Sequence, residues 1–347
     1  MAKGVVAPDG AGAGGEVTAG PLLQMAAEFY KWRTVLFAVE LDLFTGLLDE
    51  ALGREEIRDR FGISERAVGD FLDALVAVGL LEREAGGAYR SAPLAARFLD
   101  SGQPAYLGRF LEQADERWGR LGEGLISGEP QNGARAGAGM FVRQHRSTRE
   151  WRAYYGGMDA LNGPSGAALV DAFDWGSVKR VTDAGGARGN LLARLVRAHP
   201  HLEATVFDLP AVRGVFDEHM AERELTGRVA FRGGDFFRDP LPESDVVVFG
   251  HVLHDWGVEE RKRLARRAFE ALSPGGYALV YDTMIDEGRR AAANPLLISL
   301  NMMLCTPGGG EYTAREGARW FLDAGFAEVT HRHLVADDTL LIARRGV

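Results

Sequence analysis

The sequence predicts a mostly helical N-terminal domain followed by an α/β domain built on a largely parallel sheet. With 347 residues the chain is long enough for two domains. Up to about residue 165 the apolar residues recur mainly at helical spacing, whereas from about 166 short strand-like runs alternate with helical ones. The last two strand-like runs are joined by a link too short for a crossover helix. We therefore expect this final pair to be antiparallel.

Composition narrows the class of protein. The chain is 46% hydrophobic and 26% charged with a net charge of -9, and an acidic surface is poorly suited to nucleic acids or anionic membranes. Cys305 is the single cysteine, so neither an intramolecular disulfide nor a cysteine metal cluster can form. No apolar run approaches the roughly 20 residues that span a bilayer. These observations predict a soluble, cytoplasmic protein that binds neither nucleic acid nor membrane.

The N-terminal region begins with a Gly/Ala-rich stretch, residues 1–19, which we predict to be a disordered tail. Residues 21–48 are apolar nearly all round at helical spacing. Such a helix should be buried, either in a core or against a second copy of the chain. We expect it to belong to a first domain that spans residues 20–100.

The remainder of this domain has a winged-helix pattern: a helix, a tight turn at Gly62, a second helix capped by Ser64, and two short strands. A winged helix that reads DNA needs basic side chains on its second helix. Here Arg66 is the only base, and three acidic residues accompany it. A dimerisation module is therefore the favoured interpretation, and a small-molecule-sensing DNA-binding regulator is the less favoured alternative.

Residues 101–165 are predicted to form a helical connector, with a Gly/Ala-rich interruption in GEPQNGARAGAG. Residues 166–347 are predicted to form the α/β domain. Its expected strands are RVTDA, ATVFD, VAFRGGD, DVVVFG, YALVYD, AEVTHRHLV and DTLLIARR.

The loop after the first of these strands is rich in small residues. Asp183, Gly185, Ala187 and Gly189 alternate in an acid-x-G-x-G-x-G pattern with one glycine replaced by alanine. This pattern is typical of a tight strand-to-helix turn whose backbone lies against a ligand. Alanine fits that turn if its φ stays below zero.

Two further acids follow the next two strands. Asp208 can hydrogen-bond both hydroxyls of a ribose, and Asp235 can bind a base amino group while Phe236 covers the ring. Each acid alone could be an ordinary turn residue. Because the ends of successive parallel strands share one sheet edge, the three acids together predict a nucleoside site.

From about residue 166 the chain resembles class I S-adenosylmethionine-dependent methyltransferases. Residues 20–345 as a whole resemble the plant caffeic-acid-type and actinobacterial polyketide O-methyltransferases, through the ordered motifs FDLPAV, GDFF, HVLHDW, LSPGGYALVYD and GGGEYT. The resemblance implies a Rossmann-like class I methyltransferase sheet with a winged-helix dimerisation domain. It makes residues 166–347 the catalytic, cofactor-binding domain, and it implies that the connector at residues 101–165 contributes to the substrate pocket. It also implies S-adenosylmethionine as cofactor, S-adenosylhomocysteine as product, a homodimer, and a hydroxyl of a small aromatic substrate as methyl acceptor.

The resemblance implies that His254 is the general base, supported by Asp282 and Glu311. A phenol, with a pKa of about 10, is mostly protonated at neutral pH, so an imidazole that takes its proton assists the transfer. A carboxylate on the far imidazole nitrogen fixes the tautomer and stabilises the imidazolium. Relatives usually have Glu at position 282, and the shorter Asp282 is expected to reach less well than Glu311.

The family layout also implies the ligand contacts. The residues expected at the cofactor are Asp183, Gly185, Gly186, Gly189, Asp208, Leu209, Asp235, Phe236, Gly250, His251, Asp255 and Trp256, although packing or substrate lining also suits His251. The residues expected at the substrate are Tyr154, Met158, Asn162, Met302 and Met303, and Cys305 is a further candidate.

Two alternatives remain open. His251 and His254 stand at i and i+3 and could form half of a metal site, but a third ligand is not evident, so no metal is expected. The same scaffold could also perform C- or N-methylation, hydroxylation or decarboxylation, although the retention of His254 and Glu311 favours O-methyl transfer. The chain departs from the family at two other positions. Plant relatives have a cofactor-contacting lysine at the position of Gly250. Arg188 is expected to point to solvent rather than to the cofactor carboxylate.

Overall fold

A computed structural model describes residues 17–132 and 148–347. The chain divides after Asp115 into two compact units. Most of the predicted tail lies outside the described residues, and the domain limits predicted at residues 100 and 165 stay predictions. No helix within the described ranges is long and apolar enough to cross a membrane.

The first unit is mostly helical with a small antiparallel hairpin. Its elements are α1 (Gly20–Glu40), α2 (Leu43–Gly46), α3 (Arg54–Phe61), α4 (Glu65–Ala77), β1 (Leu81–Arg83), β2 (Tyr89–Ser91), α5 (Pro93–Phe98) and α6 (Gly108–Gly119), which runs past the division. Gly62 ends α3 with a φ of 68°, and Ser64 precedes α4 with extended dihedrals. The predicted helix–turn–helix and its two short strands are therefore confirmed.

Helix α1 differs from the prediction in two respects. It ends at Glu40 rather than continuing to residue 48, because Asp42 adopts a left-handed conformation with a φ of 52° before the short α2. Only its C-terminal part is buried in this unit. Its N-terminal half presents large apolar side chains that are between 59% and 70% exposed: Leu22, Leu23, Met25, Phe29 and Tyr30.

The second unit alternates helices and strands. Its remaining elements are α7 (Leu121–Ser127), α8 (Thr148–Asp171), β3 (Arg180–Ala184), α9 (Asn190–Ala198), β4 (Glu203–Asp208), α10 (Arg213–Glu222), β5 (Val229–Gly233), β6 (Ser244–Gly250), α11 (Val258–Ala271), β7 (Leu272–Asp282), α12 (Ala293–Cys305), α13 (Ala314–Asp323), β8 (Glu328–Val335) and β9 (Asp338–Arg344). The predicted interruption between α7 and α8 lies partly outside the described residues.

The sheet of this unit has the order β5-β4-β3-β6-β7-β9-β8. The first five strands are parallel, whereas β9 pairs antiparallel with both β7 and β8. The predicted parallel sheet with a C-terminal antiparallel pair is thus confirmed. The strand order reverses at β3 and β6, and ligands of open α/β sheets bind outside the C-terminal strand ends at such a point.

Candidate active site

A pocket opens at this C-terminal edge, with an empty volume of about 1120 Å³ including the part open to solvent. Most of the predicted cofactor residues line it: Asp183, Gly185, Gly186, Asp208, Leu209, Phe236, Gly250, His251, Asp255 and Trp256. The α8 residues predicted for the substrate, Tyr154, Met158 and Asn162, line the same pocket.

Five predicted ligand residues do not line this pocket. Gly189 precedes α9 at a φ of 81°, where a Cβ would meet Phe216, Met220 and Val206. Asp235 accepts a hydrogen bond from the Phe237 backbone N–H. Met302, Met303 and Cys305 lie on α12. The structure therefore leaves these five residues outside this pocket, and their roles stay predictions.

The glycine-rich loop is tighter than predicted. Ala187 has a φ of 50°, so the expectation of a negative φ is wrong. A left-handed conformation costs a residue with a Cβ roughly 1–2 kcal/mol. The Ala187 N–H donates to Asp208 Oδ2 at 2.8 Å, and this bond helps to hold the unfavourable conformation. The loop and the end of β4 are thereby joined directly at the pocket.

Arg188 is buried and does not point to solvent, so that expectation is also wrong. Its Nε donates to Asp159 Oδ2 of α8, and Asp159 itself lines the pocket. Since α8 is distant in sequence, the pattern around the loop could not reveal this partner. The ion pair ties the glycine-rich loop to the helix that forms the opposite wall.

Three carboxylates line the pocket: Asp183 is buried, and Asp208 and Asp255 are half-buried. Burial, and then the neighbouring Asp208, raise the pKa of Asp183 to about 7. Burial raises the pKa of Asp208 to about 6 against the opposing hydrogen bonds from two backbone N–H groups. Burial likewise raises the pKa of Asp255 to about 6, although His254 opposes the shift. Such a set of carboxylates fits a ligand that brings positive charge and hydroxyl donors.

His254 lies in a single 3-10 turn after β6 and is held by a carboxylate. Its Nδ1 lies 2.7 Å from Glu311 Oε1 and 3.8 Å from Asp282 Oδ1. Burial opposes a charge on the ring, but the negative charges of Glu311 and Asp282 outweigh it and raise the pKa of His254 to about 10. The three residues predicted to act together are therefore assembled by the fold.

Two residues that the sequence analysis missed support this group. The Tyr312 hydroxyl donates to Asp282 Oδ2 at 2.5 Å and fixes the orientation of that carboxylate. Arg261 of α11 is buried and donates to the backbone carbonyls of Leu253 and Gly310, so it links the segments that carry His254 and Glu311. In the sequence Arg261 cannot be distinguished from an ordinary charged residue of a helix, and its partners are known only from the fold.

His251 belongs both to the pocket and to the His254 group. Its Nε2 lies 3.0 Å from Asp338 Oδ2, and its Nδ1 lies 3.9 Å from Asp282 Oδ1. The statement that the two histidines lack a third neighbouring ligand is therefore wrong, since donor atoms of His251, His254 and Asp282 lie within 4.8 Å of one another. Glu311 already contacts Nδ1 of His254, and Asp338 already contacts Nε2 of His251. The two histidines therefore form two histidine–carboxylate pairs.

Gly250, where plant relatives have a lysine, lies directly against Tyr281. A Cβ at Gly250 would lie 2.1 Å from the Tyr281 hydroxyl oxygen. Tyr281 is buried and lines the pocket. The tyrosine thus occupies the space that a longer side chain at position 250 would need.

The comparisons with known proteins agree with this geometry. Residues 118–327 match the O-methyltransferase domain, and residues 23–101 match the O-methyltransferase dimerisation domain. The tetracenomycin polyketide synthesis 8-O-methyl transferase TcmO of Streptomyces glaucescens is 48% identical, covering 94% of this chain and 96% of its own. The N,N-dimethyltransferase OxyT of Streptomyces rimosus is 39% identical, covering 88% and 90%.

A solved structure extends the agreement to the whole fold. Human N-acetylserotonin methyltransferase in complex with SAM superposes with a TM-score of 0.82 at 28% identity, covering 97% of this chain and 100% of that one. The match to the dimerisation domain covers the helical first unit. The strand order of the second unit agrees with the predicted methyltransferase sheet. The chain belongs to the family of S-adenosylmethionine-dependent O-methyltransferases that carry a dimerisation domain.

Proposed function

We propose that this enzyme methylates a hydroxyl of an aromatic polyketide or a related phenol, with His254 as general base. The observation that carries the proposal is the 2.7 Å contact between His254 Nδ1 and Glu311 Oε1 beside an acid-lined pocket. The resemblance to the 8-O-methyl transferase TcmO supports oxygen as the acceptor and a polyketide as the substrate class.

The cofactor supplies a methyl group on a positively charged sulfonium. The residues present fit this group, because Asp183, Asp208 and Asp255 are pocket-lining carboxylates whose raised pKa values reflect the cost of their negative charge in this pocket. We assign Asp208 to the ribose hydroxyls and the backbone of the glycine-rich loop to close contact with the amino-acid end. Trp256 and Phe236 provide apolar surface for the adenine.

The bond to Glu311 determines which nitrogen of His254 acts. With its Nδ1–H donated to Glu311, the ring presents Nε2 as the nitrogen that accepts a proton. The acceptor hydroxyl would give its proton to Nε2 as its oxygen attacks the methyl group, and the methyl–sulfur bond would break to leave neutral S-adenosylhomocysteine. Glu311 and Asp282 then stabilise the resulting imidazolium.

The raised pKa of His254 must fall before the ring can act as a base at neutral pH. A positive charge bound in the adjacent pocket opposes a second positive charge on His254, because like charges disfavour one another in a buried site. Cofactor binding is therefore expected to deprotonate His254 and to prepare it for the acceptor.

The assembly is proposed to be a homodimer formed through the first unit. The exposed apolar half of α1 is the surface that a second copy would cover, since soluble proteins seldom expose such a row of large apolar side chains. The substrate is proposed to be a small aromatic molecule that contacts Tyr154, Met158 and Asn162.

The test is methyl transfer from S-adenosylmethionine to a panel of phenolic polyketides. We expect S-adenosylhomocysteine and an O-methylated product to form together. His254→Asn should lower kcat by about 10²–10⁴-fold, while cofactor binding by calorimetry is retained or becomes tighter, because a charged ring no longer opposes the sulfonium. His331→Asn, at an exposed position of β8, is the matched control and should retain the wild-type rate.

Nitrogen is the second candidate acceptor, because OxyT is an N,N-dimethyltransferase. The panel therefore includes amine-bearing polyketides of the same ring system. A product methylated only on nitrogen would contradict the proposed acceptor, and a wild-type rate in His254→Asn would contradict the proposed base.

A further inference from the structure

His251 is the residue at which the cofactor pocket meets the His254 group. It lines the pocket, and its ring centroid lies 5.5 Å from that of His254. Its φ is 51°, a left-handed conformation that a residue with a Cβ seldom adopts. Strain of this kind is retained where the surrounding structure determines the conformation, often at functional sites.

Asp338 holds the His251 ring in place. This buried carboxylate, at the start of β9, lies with Oδ2 3.0 Å from His251 Nε2. The hydroxyls of Ser165 on α8 and Thr283 after β7 donate to Asp338 at 2.5 and 2.8 Å. Two separate segments therefore orient the carboxylate that in turn orients the His251 ring.

The oriented ring faces the same carboxylate as the proposed base. Asp282 Oδ1 lies 3.9 Å from His251 Nδ1 and 3.8 Å from His254 Nδ1. This oxygen is buried and has no hydrogen-bond partner among the described residues, whereas Oδ2 accepts from Tyr312. One buried negative charge therefore lies between two imidazole rings.

We propose that His251, held by Asp338, is a positioning residue that acts on the catalytic base His254 through the carboxylate they share, Asp282. The inference rests on the proposed function of His254. In this arrangement His254–Glu311 and His251–Asp338 are two histidine–carboxylate pairs on either side of Asp282, and a change in one pair alters the field at the other.

The direction of that effect follows from the charges around each ring. His254 faces Glu311, Asp255 and Asp282, and its backbone carbonyl receives the Arg261 guanidinium. His251 faces Asp282, Asp338 and the edge of Tyr281. Replacing the His251 ring by a glutamine amide removes the ring nitrogen that faces Asp282 Oδ1, so the ring dipole no longer offsets the charge of Asp282. The negative field at His254 then increases, which raises the pKa of His254.

The experiment compares the pH dependence of kcat in three variants under saturating cofactor. His251→Gln keeps an amide donor for Asp338 but removes the ring nitrogen that faces Asp282. Asp338→Asn removes the charge that orients the ring. Asp337→Asn is the matched control, because it removes an exposed carboxylate at the same turn that contacts Asn294 instead.

We expect the acid limb of kcat to move to higher pH in His251→Gln, by on the order of one pH unit or less, because Asp282 then acts on His254 without the His251 ring beside it. Asp338→Asn removes a negative charge close to both rings and should move the limb to lower pH, whereas Asp337→Asn should not move it. If His251→Gln proves too unstable to assay, the downward shift in Asp338→Asn tests the same coupling.

Two results would overturn the inference in different ways. An acid limb that stays in place in both His251→Gln and Asp338→Asn, even with a lower Tm, leaves the pair a purely structural role and leaves the proposed base intact. A wild-type enzyme without an acid limb, together with full activity in His254→Asn, removes the base itself and the inference with it.

Discussion

Glu311 Oε1 lies 2.7 Å from His254 Nδ1, whereas Asp282 Oδ1 lies 3.8 Å from the same nitrogen. Glu311 therefore makes the direct contact, and Asp282 acts on His254 through its charge. We predict that Glu311→Gln lowers kcat by roughly 10²-fold, at the lower end of general-base contributions, and that Asp282→Asn lowers it by roughly 10-fold, below that range. An Asn at position 282 can still accept from Tyr312, so this variant isolates the charge.

Steady-state kinetics at saturating cofactor checks this order. Glu287→Gln, at a partly exposed carboxylate that bonds the Arg315 backbone, is the control and should leave kcat unchanged. A larger loss in Asp282→Asn than in Glu311→Gln would mean that the more distant carboxylate is the principal partner of the base.

Ala187→Gly is predicted to stabilise the protein. Ala187 has a φ of 50°, and glycine adopts this region without the steric cost of a Cβ. The free energy of unfolding should rise by about 1 kcal/mol or less, since glycine also gains entropy in the unfolded chain. Urea denaturation measures the change. Ala193→Gly inside α9 is the control and should lose stability, as glycine does in a helix.

The parallel strands were predictable because their apolar runs are short and end at Gly, Asp or Pro, and each strand starts or stops within a few residues of its prediction. The acids at the ends of β3 and β4 were predictable for the same reason, since parallel strands bring their C-terminal ends to one edge. The predicted end of helix α1 was too far along the chain, because Asp42 adopts a left-handed conformation and ends the helix within an otherwise continuous apolar pattern.

The partners of the site residues were harder to predict. Asp159 and Asp338 are separated by 29 and 87 positions from Arg188 and His251 along the chain, so no local pattern connects them. Such pairs depend on how helices and strands pack, which periodicity does not encode. The family resemblance supplied Glu311 and Asp282, but it could not supply residues such as Arg261 that act on the backbone.

The buried pair of Arg188 and Asp159 is predicted to contribute strongly to stability. Removing one partner leaves an uncompensated buried charge, so Arg188→Ala should lower the free energy of unfolding by about 3–5 kcal/mol. Chemical denaturation checks the value. The exposed pair of Arg152 and Glu218 is the control, and Arg152→Ala should cost about 1 kcal/mol or less. Equal losses for the two arginines would contradict a structural role for the buried pair.

The preference for the cationic cofactor over its neutral-sulfur product is predicted to increase with pH. The pKa values of Asp183, Asp208 and Asp255 are raised to about 7, 6 and 6, so these groups are largely protonated at about pH 5 and ionised at about pH 8.

Raised carboxyl pKa values mean that the folded protein binds protons more tightly than the unfolded chain. Their contribution to stability therefore falls as pH rises from about 4 towards 7.

Isothermal titration calorimetry at these two pH values tests the prediction. The ratio of the dissociation constants for S-adenosylhomocysteine and S-adenosylmethionine should be larger at about pH 8, because ionised carboxylates favour the sulfonium. Asp255→Asn should weaken the pH dependence. A ratio that does not change with pH would show that the sulfonium does not experience these charges.

The exposed half of α1 is predicted to hold two copies of the chain together. Phe29 and Leu22 are 59% and 70% exposed, and a charged side chain at either position would be buried without a partner in a dimer. Phe29→Glu and Leu22→Glu together should convert the protein from dimer to monomer, as measured by light scattering at micromolar concentration. Leu322→Glu, at an exposed position of α13, is the control and should remain dimeric. A wild-type protein that is monomeric at micromolar concentration would contradict the prediction and would leave the apolar face of α1 without this explanation.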